Sequence, residues 1–222
     1  MQLSQNTLNV LKNFASINGN LVVNQGNVIR TMSVSKSVYA VATLEESFPS
    51  SFGIYDLNEF LSVMSLVDEP SLEISDKSVR ISGNTRSEGV TYFFADSSIL
   101  SAPTKDVKMP EAELSITINT HDLSKLIKAA SVLGHTELCF KGENGRVIAT
   151  ISDTKNSTAN TYSLTLLEDC GLTNEFSFNV NIANLKLIQG EYKVSFSKLG
   201  ISNWKSDKIE YFIALEKSSS FK

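Results

Sequence analysis

The chain has 222 residues, of which 41% are hydrophobic, and a formal net charge of −4 at pH 7. This hydrophobic fraction is enough for two packed cores, while no apolar run approaches the length of a membrane-spanning segment. The acidic balance argues against a nucleic-acid-binding protein that is coated in positive charge. The first residues lack the basic-then-apolar pattern of a secretory signal, so we do not expect secretion.

The first half of the chain alternates between strand and helix patterns. Apolar residues at helical spacing predict helices over 4–17 and 56–66, and Ser4 is a candidate N-cap for the first of them. Runs rich in β-branched and aromatic residues predict strands near 21–23, 28–33, 38–44, 52–54, 71–75, 78–82 and 90–95. The predicted order is a strand, a helix and three strands, and this order occurs twice.

Residues 96–112 hold two of the four prolines and are predicted to connect two domains, 1–95 and 113–222. The second half repeats the pattern of the first. A helix is predicted near 120–133, capped by Thr120 and ended by Gly134, and another near 182–188.

Matching segments in the same order indicate that the chain is an internal duplication. VTYFFAD and IEYFIAL share the core Tyr-Phe-x-Ala, and TLNVLKNFASINGN matches DLSKLIKAASVLGH. Two further pairs are SLEISDKSVRIS with EYKVSFSKLGIS and IYDLNEFLSV with IANLKLI. We therefore predict an α+β fold of two similar domains, each built from two β-α-β-β-β units.

Residues suited to catalysis are few. His121 and His135 are the only histidines, and neither has a Cys or His neighbour at metal-ligand spacing. No glycine-rich phosphate loop, nucleophile elbow or metalloprotease pattern occurs, and Cys139 and Cys170 are interpreted as buried or idle thiols. The pattern is typical of a binding or scaffolding protein without metal or cofactor. A hydrolase that uses Asp and His is the alternative, and its signature would be a pocket joining a histidine to a carboxylate.

Charge is distributed unevenly along the chain. Residues 1–44 contain three basic residues and no acid, and Lys12 lies among polar residues on one face of the first predicted helix. Lys125, Lys128 and Lys186 lie beside the apolar stripes of later helices. These lysines by themselves indicate ordinary solvated helix surface. The alternative is a weakly positive wall that contacts a phosphate backbone without sequence preference.

The sequence resembles the sliding clamps of T-even-type bacteriophages along essentially its whole length, most strongly in TLNVLKNFASIN, IYDLNEFLSVMSLV and FNVNIANLKLIQGEYK. The resemblance implies the DNA-clamp fold, with helices on the inner face and sheets outside, in a head-to-tail homotrimer around duplex DNA. It also implies a processivity factor for viral DNA replication that has no catalysis or cofactor of its own. Its expected partners are double-stranded DNA, DNA polymerase, a clamp-loader ATPase and, as in some related clamps, transcription factors. The expected location of the protein is the host cell cytoplasm.

The resemblance assigns the outward helix residues to a DNA-facing wall. The expected members are Lys12, Lys125, Lys128, Lys186, Asn9 and Asn13. The second helix departs from this pattern because it offers Asp56 and Glu59 and no base, and Ile127 stands opposite Lys12 in the repeat. The four helices are therefore not expected to contribute equally.

Two protein contacts are also implied by the resemblance. The strand VTYFFAD should pair with TYSLTLL of a neighbouring subunit, through Tyr92, Phe94, Tyr162 and Leu164, and we choose Tyr92 as the principal contact. A hydrophobic pocket for polymerase tail peptides is expected near the connector and the chain end. Its expected walls are Phe212, Ala214, Met32, Val38 and Leu100. An oligomeric phage tail or baseplate protein is the alternative binding protein, and it would not need lysines on helix faces.

Overall fold

The computed structural model describes residues 1–83, 88–153, 156, 158–171 and 174–222, and its contacts divide the chain into Met1–Asp106 and Val107–Lys222, here called unit 1 and unit 2. The first part of the predicted connector, residues 96–106, belongs to unit 1. Both units combine helix with antiparallel sheet, so the predicted α+β class is confirmed. No helix in the described ranges is long and apolar enough to cross a bilayer.

Helix α1, Gln5–Ile17, opens unit 1. Ser4 caps the helix as predicted, because its hydroxyl accepts a hydrogen bond from the Thr7 N–H. The helix ends at Asn18, whose backbone is extended. The buried face follows the helical repeat and consists of Thr7, Leu11, Phe14 and Ile17.

Helix α2, Leu57–Met64, is shorter than predicted and packs against α1. The Asp56 carboxylate caps it by accepting the N–H groups of Asn58 and Glu59 at 2.9 and 3.1 Å. Leu57, Phe60 and Met64 are buried at spacings of three and four residues. Contacts with α1 and with the strand Gly89–Phe93 hold this short helix in place, although a peptide of this length would not be helical alone.

The strand pairings described within unit 1 are antiparallel. The strands are β1 (Leu21–Val23), β2 (Gly26–Met32), β3 (Val38–Phe48), β4 (Phe52–Ile54), β5 (Ser71–Ile74), β6 (Ser78–Ser82) and β7 (Gly89–Phe93). β1 pairs with β4, β2 pairs with β3, and β5, β6 and β7 form a three-stranded sheet. The first residues cover the outer edge of β5, since the Leu72 N–H donates to the Met1 carbonyl at 2.7 Å.

Unit 2 contains one α-helix and nine strands among its described residues. They are β8 (Leu114–Ile118), α3 (Thr120–Leu133), β9 (Glu137–Glu143), β10 (Arg146–Ser152), β11 (Tyr162–Leu167), β12 (Phe176–Asn181), β13 (Tyr192–Ser197), β14 (Ile201–Lys205), β15 (Ile209–Ala214) and β16 (Ser220–Phe221). One sheet has the order β11-β10-β9-β12-β16, and a second contains β15-β14-β13-β8.

Aromatic rings from both sheets of unit 2 form its core. Phe178 of β12 stacks on Phe196 of β13 with ring centroids 5.2 Å apart, and Phe140 of β9 contacts the same ring at 4.7 Å. Trp204 of β14 is fully buried, and its Nε1–H donates to the Ser202 hydroxyl at 3.1 Å. The two sheets are thus held face to face by offset aromatic contacts rather than by aliphatic packing alone.

The predicted end of α3 is confirmed, whereas its predicted N-cap is wrong. Gly134 ends the helix as predicted, in the left-handed conformation with φ of 70°. The N-cap is Asn119 rather than Thr120, because the Asn119 side chain accepts the Asp122 N–H at 2.9 Å and Thr120 already lies within the helix.

The fourth predicted helix is wrong. Residues 182–188 contain only a single 3-10 turn, Ile182–Asn184, and an irregular backbone follows it. The segment is too short to form a helix by itself, and two buried tyrosines take the hydrogen-bonding groups of Ile188 that a helix would use within the chain.

A tight contact in unit 2 gives a test of the core packing. A Cβ at Gly142 would lie 2.3 to 2.8 Å from three ring atoms of buried Phe176. Gly142→Ala should therefore displace the ring and lower the free energy of unfolding by about 1–3 kcal/mol. Gly190→Ala is the matched control, since its Cβ would meet nothing closer than 4.0 Å. Thermal unfolding by circular dichroism measures both variants, and equal midpoints would contradict this account of the packing.

Candidate functional site

The outer face of α1 is polar and contains no acid. Because Thr7, Leu11 and Phe14 point inward, the exposed positions are Gln5, Asn6, Asn9, Lys12 and Ser16. Asn9 accepts a hydrogen bond from the Gln5 amide at 3.0 Å, and Asn13 is half-buried at the margin of this face. The structure therefore brings together three of the predicted DNA-facing residues, Asn9, Lys12 and Asn13, on one helix.

Unit 2 presents the remaining three predicted lysines to solvent. Lys125 and Lys128 are exposed on α3, on the side away from buried Leu123, Leu126 and Ala130. Lys186 is exposed in the irregular segment after the 3-10 turn, directly after buried Leu185. Lysine supplies a point charge without the planar fork of arginine, so these positions suit phosphate contact rather than base reading.

Helix α2 carries the opposite charge. Asp56 and Glu59 are both exposed at its N-terminus, where the helix dipole favours carboxylates. The exposed charges therefore differ between the helices, and their unequal contribution to DNA contact stays a prediction. Ile127 on α3, the counterpart of Lys12 in the repeat, is 38% exposed and offers no charge.

The face assignment of strand β7 needs a correction. Tyr92, chosen from the sequence as the outward contact, turns toward its own helix α2: its ring lies edge-on to Phe60 at 5.2 Å, and its hydroxyl donates to the Asp56 carbonyl at 3.4 Å. Phe94, on the same side, stacks on Phe52 at 4.4 Å. The residue that points away is Phe93, which is 73% exposed. Alternation identified the two faces, but the position of Phe60 decides which one is internal.

Strand β7 has an open edge. The Phe94 N–H donates to Lys77, next to β6, whereas the Ala95 N–H donates to Gly53 of β4. Successive N–H groups of a strand point to opposite sides, so the backbone groups of Thr91 and Phe93 point away from β6. At this edge β7 has no partner strand among the residues that the structure describes. An unpaired row of backbone groups of this kind is a site for strand addition.

Strand β11 also lies at the edge of its sheet and pairs with β10 alone within the described part of the chain. Tyr162 and Leu164 are half-buried, while Ser163, Thr165 and Leu167 are exposed. The two strands predicted to meet between subunits are therefore both edge strands. Whether Tyr92, Phe94, Tyr162 and Leu164 lie at a subunit contact stays a prediction.

The residues predicted for the peptide pocket differ in accessibility. Val38 and Phe212 are only 2% and 6% exposed, so they offer little surface to a peptide. Met32, Leu100 and Ala214 are half-buried. In unit 1, the Asn18 amide donates to the carbonyls of Met32 and Ser101 at 3.0 and 2.9 Å, which places the backbone beside Leu100 near Met32. The Leu100 side chain itself lies over Gly53.

An open groove in unit 2 begins directly after Ala214. Its volume is about 530 Å³, and its apolar walls are Phe178, Leu199, Leu215 and Phe221. Leu199 is 73% exposed at the turn between β13 and β14. Our sequence reasoning missed this residue. The available signal was a leucine in the turn Lys198-Leu199-Gly200, where a polar residue is the usual choice.

The first part of the connector is fastened to unit 1 by charge. Arg30 Nε lies 2.6 Å from Asp106 Oδ1, and the Tyr39 hydroxyl donates to the same oxygen at 3.2 Å. The hydrogen bond to Asp106 raises the pKa of Arg30, and burial, together with the same carboxylate, raises the pKa of Tyr39. No pattern in the sequence predicts this cluster.

The groups considered for catalysis are apart from one another. His121 is exposed in the first turn of α3, and His135 Nε2 lies 2.7 Å from the Asn160 carbonyl rather than from a carboxylate. Cys139 is buried and Cys170 half-buried, and the two are not joined by a disulfide. Burial raises the pKa of Cys139. Among the described residues, no three His, Cys, Asp or Glu side chains are placed to hold a metal ion.

Comparison with known proteins gives matches to both units. The family described as DNA polymerase processivity factor matches residues 4–109, and the one described as gp45 sliding clamp, C terminal, matches residues 115–217. The sliding clamp of Escherichia phage RB69 is 34% identical, and the alignment covers 99% of each chain. The sliding clamp of Vibrio phage KVP40 is 33% identical, over 97% of this chain and 99% of the other.

Solved structures share the fold at low sequence identity. A. fulgidus PCNA, bound to the C-terminal region of FEN-1, matches with a TM-score of 0.71 and 13% identity over 99% of this chain and 98% of the other. The DNA polymerase III subunit beta from Pseudomonas aeruginosa matches with a TM-score of 0.68 and 12% identity, over 95% of this chain and 63% of the other.

Proposed function

Because this chain belongs to the sliding clamp family of phage DNA polymerase processivity factors, we propose that it closes into a homotrimeric ring around duplex DNA and tethers the polymerase. The observation that carries the proposal is the family match across both units at about one-third identity. A processivity factor is not an enzyme, so the hydrolase alternative is wrong. The match also favours the clamp over a tail or baseplate component.

The DNA contact is electrostatic and weak, because few lysines make it. Lys12, Lys125, Lys128 and Lys186 face the phosphate backbone from the inner wall, with Asn9 and Asn13 beside Lys12. Their exposure on helix faces, or next to a buried leucine, supports this role. Few point charges on an acidic protein give contacts that exchange readily, which suits a ring that holds DNA by enclosing it.

Ring closure is by strand addition. The open edge of β7 in one subunit pairs with the open edge of β11 in the next, so that each seam extends a sheet from chain to chain. The contact is head-to-tail, and three repeats of it close the ring. Tyr162 and Leu164 lie across the seam from β7. Phe93 supplies the outward aromatic contact, while Tyr92 and Phe94 brace the strand from inside its own unit.

Partner proteins bind the outside of the ring. A polymerase tail peptide inserts apolar side chains into the groove of Phe178, Leu199, Leu215 and Phe221, immediately beyond Ala214. Lys217 at the same groove suits a peptide that ends in a carboxylate. The ring acts in the host cell cytoplasm. A clamp-loader ATPase opens it there, and transcription factors use the same groove.

Reversal of the four inner lysines tests the DNA contact. Changing Lys12, Lys125, Lys128 and Lys186 to Glu should shorten the products of loader-dependent primer extension roughly tenfold, because phosphate contacts are lost. The difference from the parent should shrink at higher salt, since salt weakens the phosphate contacts that the parent still makes. The control changes Lys77, Lys193, Lys205 and Lys208 to Glu, which alters net charge equally. Equal product lengths for the two quadruple variants would show that the inner lysines are only solvated surface.

Substitution of Phe93 tests the seam. Phe93→Lys places a charge in an apolar contact at a cost on the order of 2 kcal/mol per seam, so the Kd for loss of a subunit should rise at least tenfold. Sedimentation or mass photometry on dilution measures the change. Val34→Lys, at another exposed apolar position of unit 1, is the control. Tyr92→Glu should lower the melting temperature of the monomer as well. A Phe93→Lys ring as stable as the control would place the seam elsewhere.

Substitution of Leu199 tests the groove. Leu199→Asp should weaken binding of the polymerase C-terminal peptide at least about tenfold, because buried apolar anchors dominate such interfaces. Fluorescence anisotropy measures the affinity, and Leu66→Asp supplies an exposed apolar control outside the groove. Ala214→Asp, one residue before the groove, should act in the same direction. Unchanged affinity for Leu199→Asp would exclude this groove as the peptide site.

A further inference from the structure

The duplication breaks down at one element that faces the proposed DNA channel. Unit 1 has helix α2 at this point of the repeat, and unit 2 has residues 182–190, which form a 3-10 turn and then an irregular backbone. A helix satisfies its own N–H and C=O groups, but an irregular segment must find other partners for them. How residues 185–190 are held therefore decides where Lys186 stands.

Two tyrosines hold the middle of this segment through a pair of hydrogen bonds, here called the tyrosine circuit. The Ile188 N–H donates to the Tyr211 hydroxyl at 3.1 Å, and the Tyr192 hydroxyl donates to the Ile188 carbonyl. Both backbone groups of Ile188 are therefore paired with side chains of β13 and β15.

The circuit is rigid because both tyrosines belong to the core. Tyr192 begins β13 and Tyr211 lies on β15; both are almost completely buried, and their rings meet edge-on with centroids 6.0 Å apart. Burial raises the pKa of Tyr192 to about 12 and raises that of Tyr211 as well. Both phenols therefore keep their protons, and the circuit stays intact, throughout the physiological range.

A second anchor lies on the other side of Lys186. The Leu185 side chain is buried, its N–H donates to the Ile182 carbonyl at 3.0 Å, and the Ile182 N–H donates to Thr136 at 2.8 Å. Lys186 is exposed between this anchor and Ile188. The backbone on either side of Lys186 is thus held in place.

The space between the segment and α3 is partly open. A groove of about 250 Å³ is lined by residues 187–190 and by Thr120, Leu123, Ser124 and Ile127 of α3. The tyrosine circuit and buried Leu185 are the anchors that carry the inference.

We propose that Tyr192 and Tyr211 are positioning residues that hold Lys186 at the DNA-facing wall in place of the missing helix. The inference rests on the proposed DNA contact of Lys186. Under this proposal, two buried phenols that do not themselves contact DNA affect how the ring slides along it. A helix would place this lysine through its own backbone, whereas here side chains from two strands do so.

A double-mutant cycle tests the proposal in the intact ring. Tyr211→Phe removes the acceptor of the Ile188 N–H and should shorten processive products to about the same degree as Lys186→Gln, roughly two- to threefold, with the same loss of salt dependence. In the Lys186→Gln background Tyr211→Phe should have no further effect. In the Lys125→Gln background, which alters a lysine that the circuit does not touch, it should have its full effect.

Hydrogen exchange gives a readout that does not depend on DNA. The Ile188 amide should be protected in the parent and should exchange at least tenfold faster in Tyr211→Phe, while the amides of α3 keep their protection. Tyr192→Phe removes the other arm of the circuit and should reproduce the cycle if Tyr211→Phe folds poorly. Equal effects of the tyrosine variant in both lysine backgrounds would overturn the proposal. Unchanged product length in Lys186→Gln would also overturn the proposal. If the quadruple lysine variant still lost processivity in that case, the proposed function itself would stand.

Discussion

Open strand edges are the constraint on which the rest of this molecule depends. A strand edge exposes N–H and C=O groups that will pair with any strand they meet. The chain covers one such edge itself, where the first residues pair with β5. The edges of β7 and β11 have no such cover among the described residues, and each belongs to a different unit. Copies of the chain joined head-to-tail would satisfy both edges, and a ring would leave neither exposed.

Local signals in the sequence predict much of this fold. Ser4 and Gly134 mark helix ends because their capping geometry depends on a single residue type, and strand alternation is equally local. The fourth helix could not be predicted, because Tyr192 and Tyr211 compete for the backbone of Ile188 from other strands. The site follows the same division. Exposed lysines could be read from helical spacing, but the inward turn of Tyr92 depends on Phe60, and burial of Val38 and Phe212 depends on long-range packing.

Acidic and basic residues are distributed unevenly in this protein. The first 44 residues contain no acid, whereas the cap and first turn of α2 present Asp56 and Glu59 to solvent. Lysines on α1, on α3 and in residues 182–190 therefore face a background that is negative overall. A surface of this kind would attract a phosphate backbone where the lysines lie and repel it elsewhere, which would limit affinity. A uniformly basic wall would bind more tightly and slide less freely.

Trp204 is the only tryptophan in the chain, and it lies fully buried in the aromatic core of unit 2. Its fluorescence emission consequently reports on that core alone. Unfolding of unit 2 would shift the emission to longer wavelength as the indole meets water, while unfolding of unit 1 would leave the spectrum almost unchanged. Chains with two units need not unfold in one step. Emission and far-ultraviolet circular dichroism followed together would therefore resolve the order in which the two copies of the duplicated fold lose their structure.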